Sequence, residues 1–381
     1  MRYLVLGAGL QGCAAAFDLL RHPSTTVVTL ADHREVPLPP FLARAADARL
    51  VRRTLDVTDR AAAIEAVRGH QAVLCALPYY FNEPMTAAAI AGGAHFCDLG
   101  GNTEIVMAQK RHHAAAEAAG VSVIPDCGLA PGMVNILAVE AMRRLGHARE
   151  VRIYVGGLPQ QPEPPLNYQI VYSLEGALDY YTTPSWVLRH GHAVQVDALS
   201  EVVPVTFPAP LGTLEAFHTG GGISTLPFTW EGKVDVMEYK TLRYPGHAAL
   251  MRDIRSLGLL GNEPIDVRGQ AVRPRDAFIA AVSPLLRKPE GRDLVALRVE
   301  AAGERDGAPA RVAFQCIARY DEALGVSAMM QTTGYSLAIT ALMQADGRVT
   351  ARGVHTPDEA MPAGAYIAEL GRRGVVIEEA A

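Results

Sequence analysis

Residues 1–32 read MRYLVLGAGLQGCAAAFDLLRHPSTTVVTLAD, and this stretch decides the fold. Tyr3–Leu6 is an apolar run of strand length, followed directly by Gly7-Ala8-Gly9-Leu10-Gln11-Gly12. Cys13–Leu20, rich in Ala and Leu, reads as a helix that Pro23 ends. A second apolar run, Thr26–Ala31, closes on Asp32. Strand, glycine turn, helix, strand and acid in this order make a dinucleotide-binding unit. Gly7 permits the tight turn, Gly9 lets a pyrophosphate approach the backbone, and Gly12 lets the helix lie close to the strand. Leu10 and Gln11 open the helix, whose unpaired N–H groups and partial positive charge suit the phosphates. Asp32 stands where a carboxylate accepts hydrogen bonds from both ribose hydroxyls of an adenosine, which favours NAD. Arg34 pulls the other way, because a nearby Arg can receive the 2′-phosphate of NADP.

Outward from this unit, a strand near Leu50–Leu55 ends in Asp56-Val57-Thr58-Asp59, and Thr58 or Asp59 caps a helix over Arg60–Arg68. This corner lies beside the adenine in nucleotide-binding sheets, so Asp56 and Val57 are candidate adenine contacts. Gln71–Leu77 is the next buried strand. Ligands bind at the carboxyl ends of parallel strands, so Cys75, Ala76, Leu77 and Pro78 should approach the cofactor. Asp98, Leu99 and Gly100 end the fifth strand in the same way. Strand Val121–Pro125 leads into Asp126-Cys127-Gly128-Leu129-Ala130-Pro131-Gly132-Met133, a stiff loop that brings Cys127 to the cofactor and forms the hinge to a second domain. From Glu150 onward, short alternating runs such as Val151–Val155 and Val202–Phe207 predict antiparallel strands. The expected fold class is α/β. A Rossmann-type doubly wound parallel sheet precedes an α+β domain with a mainly antiparallel sheet for substrate binding and dimerisation. An apolar helix over Tyr335–Met343 is expected to return to the first domain. The predicted division is therefore 1–130 with 331–381, and 131–330.

The chain has 381 residues, room for two domains of ordinary size, and hydrophobic residues make up 49%. A net charge of −5 speaks against a nucleic-acid partner, and no apolar run reaches membrane-spanning length. The five cysteines (Cys13, Cys75, Cys97, Cys127, Cys316) are scattered with no C-x-x-C pair, so neither a metal site nor a disulfide framework is indicated. The chain opens on its first strand without a signal peptide, and a cytoplasmic setting is expected.

Several motifs run from end to end of the chain. They are GAGLQG at 7–12, DLGGNTEIV at 98–106, DCGLAPGMVNILA at 126–138 and PPLNYQIVYSLEGALDYYTTP at 164–184. LEAFHTGGGISTLP at 214–227, YKTLRYPGH at 239–247 and TTGYSLA at 332–338 follow. With these the chain resembles the saccharopine dehydrogenase-like family of amino-acid oxidoreductases, and the middle segments resemble its lysine 6-dehydrogenase group. The resemblance implies NAD-dependent oxidative deamination of the lysine ε-amine, giving 2-aminoadipate 6-semialdehyde that cyclises, with ammonia released. It also implies a homo-oligomer, expected to be a dimer. Gly220 departs from the pattern, standing where a polar residue is expected before the paired glycines.

Oxidising a carbon–nitrogen bond sets fixed demands. The nitrogen must be neutral before hydride leaves the carbon beside it. A lysine amine of pKa about 10.4 is neutral at pH 7 in only about one molecule in a few thousand, a penalty of roughly 4–5 kcal/mol. A base or a desolvated pocket reduces that penalty. The substrate carboxylate needs a cation, and the fork of Arg243 suits it. Lys240 is a candidate base or second carboxylate ligand, and His247 and His218 are candidate bases. Asp98 either recognises the amine or braces its strand. Tyr168, Tyr239, Tyr244 and Thr225 are candidate pocket residues, and Glu175 and Glu215 possible partners of the amine. One alternative is a saccharopine dehydrogenase or related carboxyalkyl-amine reductase, which needs more cations; another is a non-catalytic NAD-binding sensor.

Overall fold

The computed structural model describes residues 1–171 and 173–380. Its first sheet is wholly parallel. β1 (Arg2–Leu6) lies at its centre, flanked on one side by β2 (Val27–Asp32) and β3 (Leu50–Thr54). On the other side run β4 (Ala72–Cys75), β5 (His95–Asp98) and β6 (Ser122–Ile124). β1 and β4 are buried almost throughout, as the continuous apolar runs of a sheet covered on both faces require. Helix α1 (Leu10–Arg21) packs across the sheet through Ala14, Ala15, Ala16 and Leu19, all fully buried.

The strand order reverses between β1 and β4, and the crevice at this reversal is where ligands settle in such sheets. Helix Tyr335–Ala345 returns to this sheet. Gln344 donates to the carbonyls of Phe96 and Ser122, and Gly353–Val354 adds a seventh parallel strand beside β6. The final strand does not follow. Glu378–Ala380 pairs with Ala308–Arg319 of the second sheet, so the segment expected to belong wholly to the first domain ends on the second.

Among the described residues the second sheet has nine strands. Its long members are β7 (His147–Pro159), Asp293–Arg305 and Ala308–Arg319, the last two joined as a hairpin through Asp306-Gly307. Most pairs are antiparallel, as expected, but Val236–Arg243 runs parallel to β7, so the sheet is mixed. Helix Met133–Leu145 follows the 126–132 loop and packs its apolar face on this sheet. Among the described residues no helix is long and apolar enough to cross a membrane.

Candidate active site

The glycine turn has the geometry its residues require. Gly7 adopts φ +96°, and a side chain there would meet the Ala76 carbonyl at 2.7 Å. A side chain at Gly12 would collide with the Gly7 carbonyl, so the helix closes directly on the turn. Gly9 has nothing within 4 Å of where a Cβ would stand, which is the open approach a pyrophosphate needs. No side chain caps the start of α1, so its first N–H groups face this opening. Asp32 Oδ2 accepts from Ala8 N at 2.8 Å, locking the acid to the turn. Asp32 also lines a cavity of about 230 Å³ with Arg34, Arg52 and Arg53. Both side-chain amide atoms of Gln11 are buried without a partner among the described residues, as a group awaiting a ligand would be. These features fit a dinucleotide. Asp56, in contrast, accepts from Thr58 N and Oγ1 at 2.9 and 2.6 Å and closes a local turn; neither Asp56 nor Val57 lines a cavity described here. The Cys75 and Cys127 thiols are buried, while Leu77, Leu99 and Gly100 reach the open end of the sheet.

Between the two sheets lies a cleft of about 290 Å³. Gln11, Leu77, Leu99 and Gly100 form its nucleotide wall, and Tyr239, Thr241 and Arg243 form the opposite one. Gly128, Leu129 and Ala130 of the stiff loop line it too, as do Met329 and Thr333, the latter within a π-helical turn at Met330–Gly334. The Oγ1 atoms of Thr219 and Thr241 lie 2.8 Å apart, and Thr241 Oγ1 lies 3.4 Å from Tyr239 Oη.

Several expected site residues lie elsewhere, for one reason. Successive side chains of a strand point to opposite faces. Tyr239, Thr241 and Arg243 face the cleft; Lys240 faces away and donates to the Glu201 carbonyl at 2.8 Å. His218 joins Lys240 there, with Nε2 3.1 Å from Glu201 and Nδ1 against the Tyr239 carbonyl. Glu201, His218 and Glu238 bring ligand atoms within 4.8 Å of one another, yet Arg189 Nη2 bridges both carboxylates at 3.0 and 2.7 Å, where a metal ion would sit. Neither Lys240 nor His218 can reach a substrate in the cleft.

His247 is fully enclosed behind Arg243. Its Nδ1 donates to the Leu166 carbonyl at 2.9 Å, which leaves Nε2 to accept from Tyr181 Oη at 3.0 Å. Tyr181 Oη in turn accepts from Arg243 Nε at 3.1 Å. Burial, then the Arg243 charge, lowers the His247 pKa to about 3, so the ring is neutral and braces the guanidinium rather than taking a proton. Tyr168 lies under the same guanidinium, its ring centre 4.9 Å away. Tyr244 donates to the Pro159 carbonyl at 2.8 Å, outside the cleft. Thr225 is buried and does not line it. Glu215 accepts from Gly246 N and Ala248 N and holds the helix that begins at His247.

Asp98 braces its strand. Its oxygens accept from Gly100 N at 2.7 Å and Gln109 Nε2 at 2.6 Å, and burial raises its pKa to about 6. The sequence reading overlooked Asp126 in the stiff loop. Asp126 lies directly beneath Gly100, with Oδ1 accepting from Gly101 N at 3.1 Å and Ser224 facing the carboxyl without a well-formed hydrogen bond. Burial raises its pKa to about 7. Also overlooked were Tyr180 and Thr241. Thr241 was legible from alternation, two residues from both Tyr239 and Arg243.

Residues 128–375 match the saccharopine dehydrogenase C-terminal domain. The chain belongs to the saccharopine dehydrogenase family. Residues 3–124 match the NADP binding domain of the same family, so the first sheet carries a pyridine-nucleotide site. The chain is 22% identical over 401 residues to the L-glutamate-forming, NADP-linked saccharopine dehydrogenase of Schizosaccharomyces pombe, covering 85% of this chain and 87% of that one. It is 27% identical over 207 residues to the mitochondrial alpha-aminoadipic semialdehyde synthase of Mus musculus, covering 52% of this chain but only 22% of the mouse protein. It therefore spans about a fifth of that relative's length. The apo L-glutamate-forming saccharopine dehydrogenase of Saccharomyces cerevisiae superimposes with a TM-score of 0.80 at 20% identity, over 100% of this chain and 99% of that one. The NAD complex of homospermidine synthase from Legionella pneumophila gives 0.66 at 11% identity, over 100% and 91%. These two structures share the fold.

Proposed function

We propose that the protein oxidatively deaminates the ε-amine of L-lysine, with NAD as hydride acceptor, giving 2-aminoadipate 6-semialdehyde and ammonia. One observation carries this reading: among the described residues lining the cleft, the one charged group is Arg243. One guanidinium suits a substrate with one carboxylate, held by a charge-assisted fork. The bound nucleotide supplies the hydride acceptor, and Gln11, Leu77, Leu99 and Gly100 shape the wall against which its reacting end would lie. NAD is favoured because Asp32, held by Ala8 N, opposes a 2′-phosphate with a like charge.

The described lining holds no carboxylate, imidazole or ammonium to act as a base. Burial pushes the Tyr239 phenol upward, so it stays protonated and offers a hydrogen bond rather than a proton sink. The cleft therefore lowers the cost of a neutral amine by desolvation, while the Thr219, Thr241 and Tyr239 hydroxyls orient the nitrogen and the attacking water.

A second reading, dehydrogenation of saccharopine, draws on a neighbouring cavity of about 430 Å³ lined by Tyr168, Lys288 and Arg292. Both cations are already paired there, Lys288 with Glu163 at 2.6 Å and Arg292 with Glu322 at 2.7 Å. The deciding experiment measures reduced cofactor formed with lysine and, in parallel, with saccharopine. Turnover of lysine with equimolar ammonia supports the first reading, and turnover of saccharopine alone overturns it.

A further inference from the structure

The cleft does not end at Tyr180. Beyond this side chain lies a second chamber of about 300 Å³. The two spaces share Gly176, Tyr180, Gly220 and Gly222 in their walls. Tyr180 projects from helix Leu174–Thr182 into the seam between the domains. Two glycine loops close around it. A Cβ at Gly101 would stand 2.7 Å from Tyr180 Oη, and a Cβ at Gly221 would stand 2.9 Å from its ring and 2.9 Å from the Gly101 carbonyl. The ring is thus held where the nucleotide domain meets the substrate domain. Its burial raises the phenol's pKa, so it is a neutral partition.

The far chamber differs chemically from the cleft. Its described lining contains Glu104 and Asp179 and no Lys or Arg, with the hydroxyls and amides of Asn102, Thr103, Ser185 and Gln195. Arg275 stands behind Asp179 at 2.7 Å and offsets that charge, leaving Glu104. Helix Thr103–Lys110 points its N-terminus this way, but Asn102 Oδ1 already accepts from Ile105 N there. The chamber offers oxygen acceptors and a carboxylate, whereas the cleft offers Arg243.

From this we infer that Tyr180 is a specificity-determining residue: it confines the reaction to unsubstituted terminal amines by shutting off a chamber that would otherwise take a cationic arm on the reacting nitrogen. The inference rests on the amine-oxidation reading and adds the limit on its substrate class. With the carboxylate at Arg243 and the amine nitrogen at the nucleotide wall, an N-substituent would enter the far chamber past Tyr180, which stands where the two spaces adjoin. An aminoalkyl arm would suit the far chamber. The dicarboxylate arm of saccharopine would meet Glu104 and no cation there.

The test compares wild type, Tyr180→Ala, Tyr180→Leu and Tyr180→Phe, all with NAD. The substrates are lysine, N6-(3-aminopropyl)-lysine and saccharopine. The Ala variant should raise kcat/KM for the aminopropyl compound relative to lysine by about tenfold or more, the size of a steric discrimination in a pocket. Leu, which packs the near part of the seam but is too short to reach Gly101 as the phenol does, should raise it in the same direction even if the Ala variant folds poorly. Phe keeps the ring and should keep the wild-type ratio. Unchanged ratios in both Ala and Leu would overturn the inference, as would a gain for saccharopine alone. Direct titration of the aminopropyl compound into the NAD-loaded proteins separates the two layers. Tighter binding to the Ala and Leu variants supports the partition even if wild type fails to oxidise lysine, a failure that would count only against the proposed reaction.

Discussion

Replacing Asp126 by Asn should change the pH dependence of stability in a calculable way. The carboxyl is 1% exposed beneath Gly100, and burial raises its pKa from 3.8 to about 7. A raised folded-state pKa means that the protonated acid's stability is fully present below pH 3.8. It is lost as the pH climbs to about 7. Between pH 5 and 8 the unfolded chain keeps this group ionised, while the folded protein releases its proton near 7. At 1.36 kcal/mol per unit, the wild type loses roughly 2–3 kcal/mol from this group over that interval. Asn cannot ionise, and its side-chain oxygen can still accept from Gly101 N. His247, with its pKa lowered to about 3, acts in the opposite sense, losing stability as the pH falls below 6.5. Asp98 adds a second raised carboxyl. His247 is common to the two proteins and cancels in the difference, whereas Asp98 is coupled to Asp126 and does not cancel completely. Urea unfolding at pH 5, 6, 7 and 8 measures it. The variant should gain on the wild type by roughly 2–3 kcal/mol from pH 5 to 8. Parallel curves would mean that Asp126 is already ionised throughout this range in the folded protein.

Three further outcomes concern catalysis. Arg243→Ala should raise the KM for lysine roughly 10- to 100-fold, the cost of losing charged hydrogen bonds, with a much smaller change for NAD; equal changes would make Arg243 a brace between domains. Turnover at saturating NAD should rise into the alkaline range, because the described residues lining the cleft include no base and the neutral amine is scarce; a flat profile from pH 7 to 10 would show that deprotonation is not limiting. Asp32→Ser should shift kcat/KM toward NADP by about tenfold, since Arg34, Arg52 and Arg53 line the same cavity and the opposing charge is gone; an unchanged preference would place the 2′ position elsewhere.

The nucleotide site was legible because its chemistry is local. Gly7, Gly9, Gly12 and Asp32 act within one strand-turn-helix-strand unit, and apart from the approach of the Ala76 carbonyl to Gly7 the demands on them are set inside that unit. The cleft face of the second sheet was less legible. Lys240 and Arg243 stand three apart in YKTLRYPGH, and composition alone made both attractive. Only the strand Val236–Arg243, with its period of two, separates them onto opposite faces. His247 and His218 share an ordinary titration range in sequence, and their enclosure decides that neither serves the cleft.

By itself the sequence determined the dinucleotide unit, the parallel order that follows from βαβ connections, and the presence of a stiff loop at residues 126–132. These depend on backbone conformations that glycine and proline dictate at short range. Tertiary structure decided which distant residues meet: Asp126 beneath Gly100, the Tyr181–His247 brace behind Arg243 and, across the seam, Tyr180 between two glycine loops. Those contacts join residues far apart in the chain, and burial sets their protonation, so no stretch of chain read alone contains them.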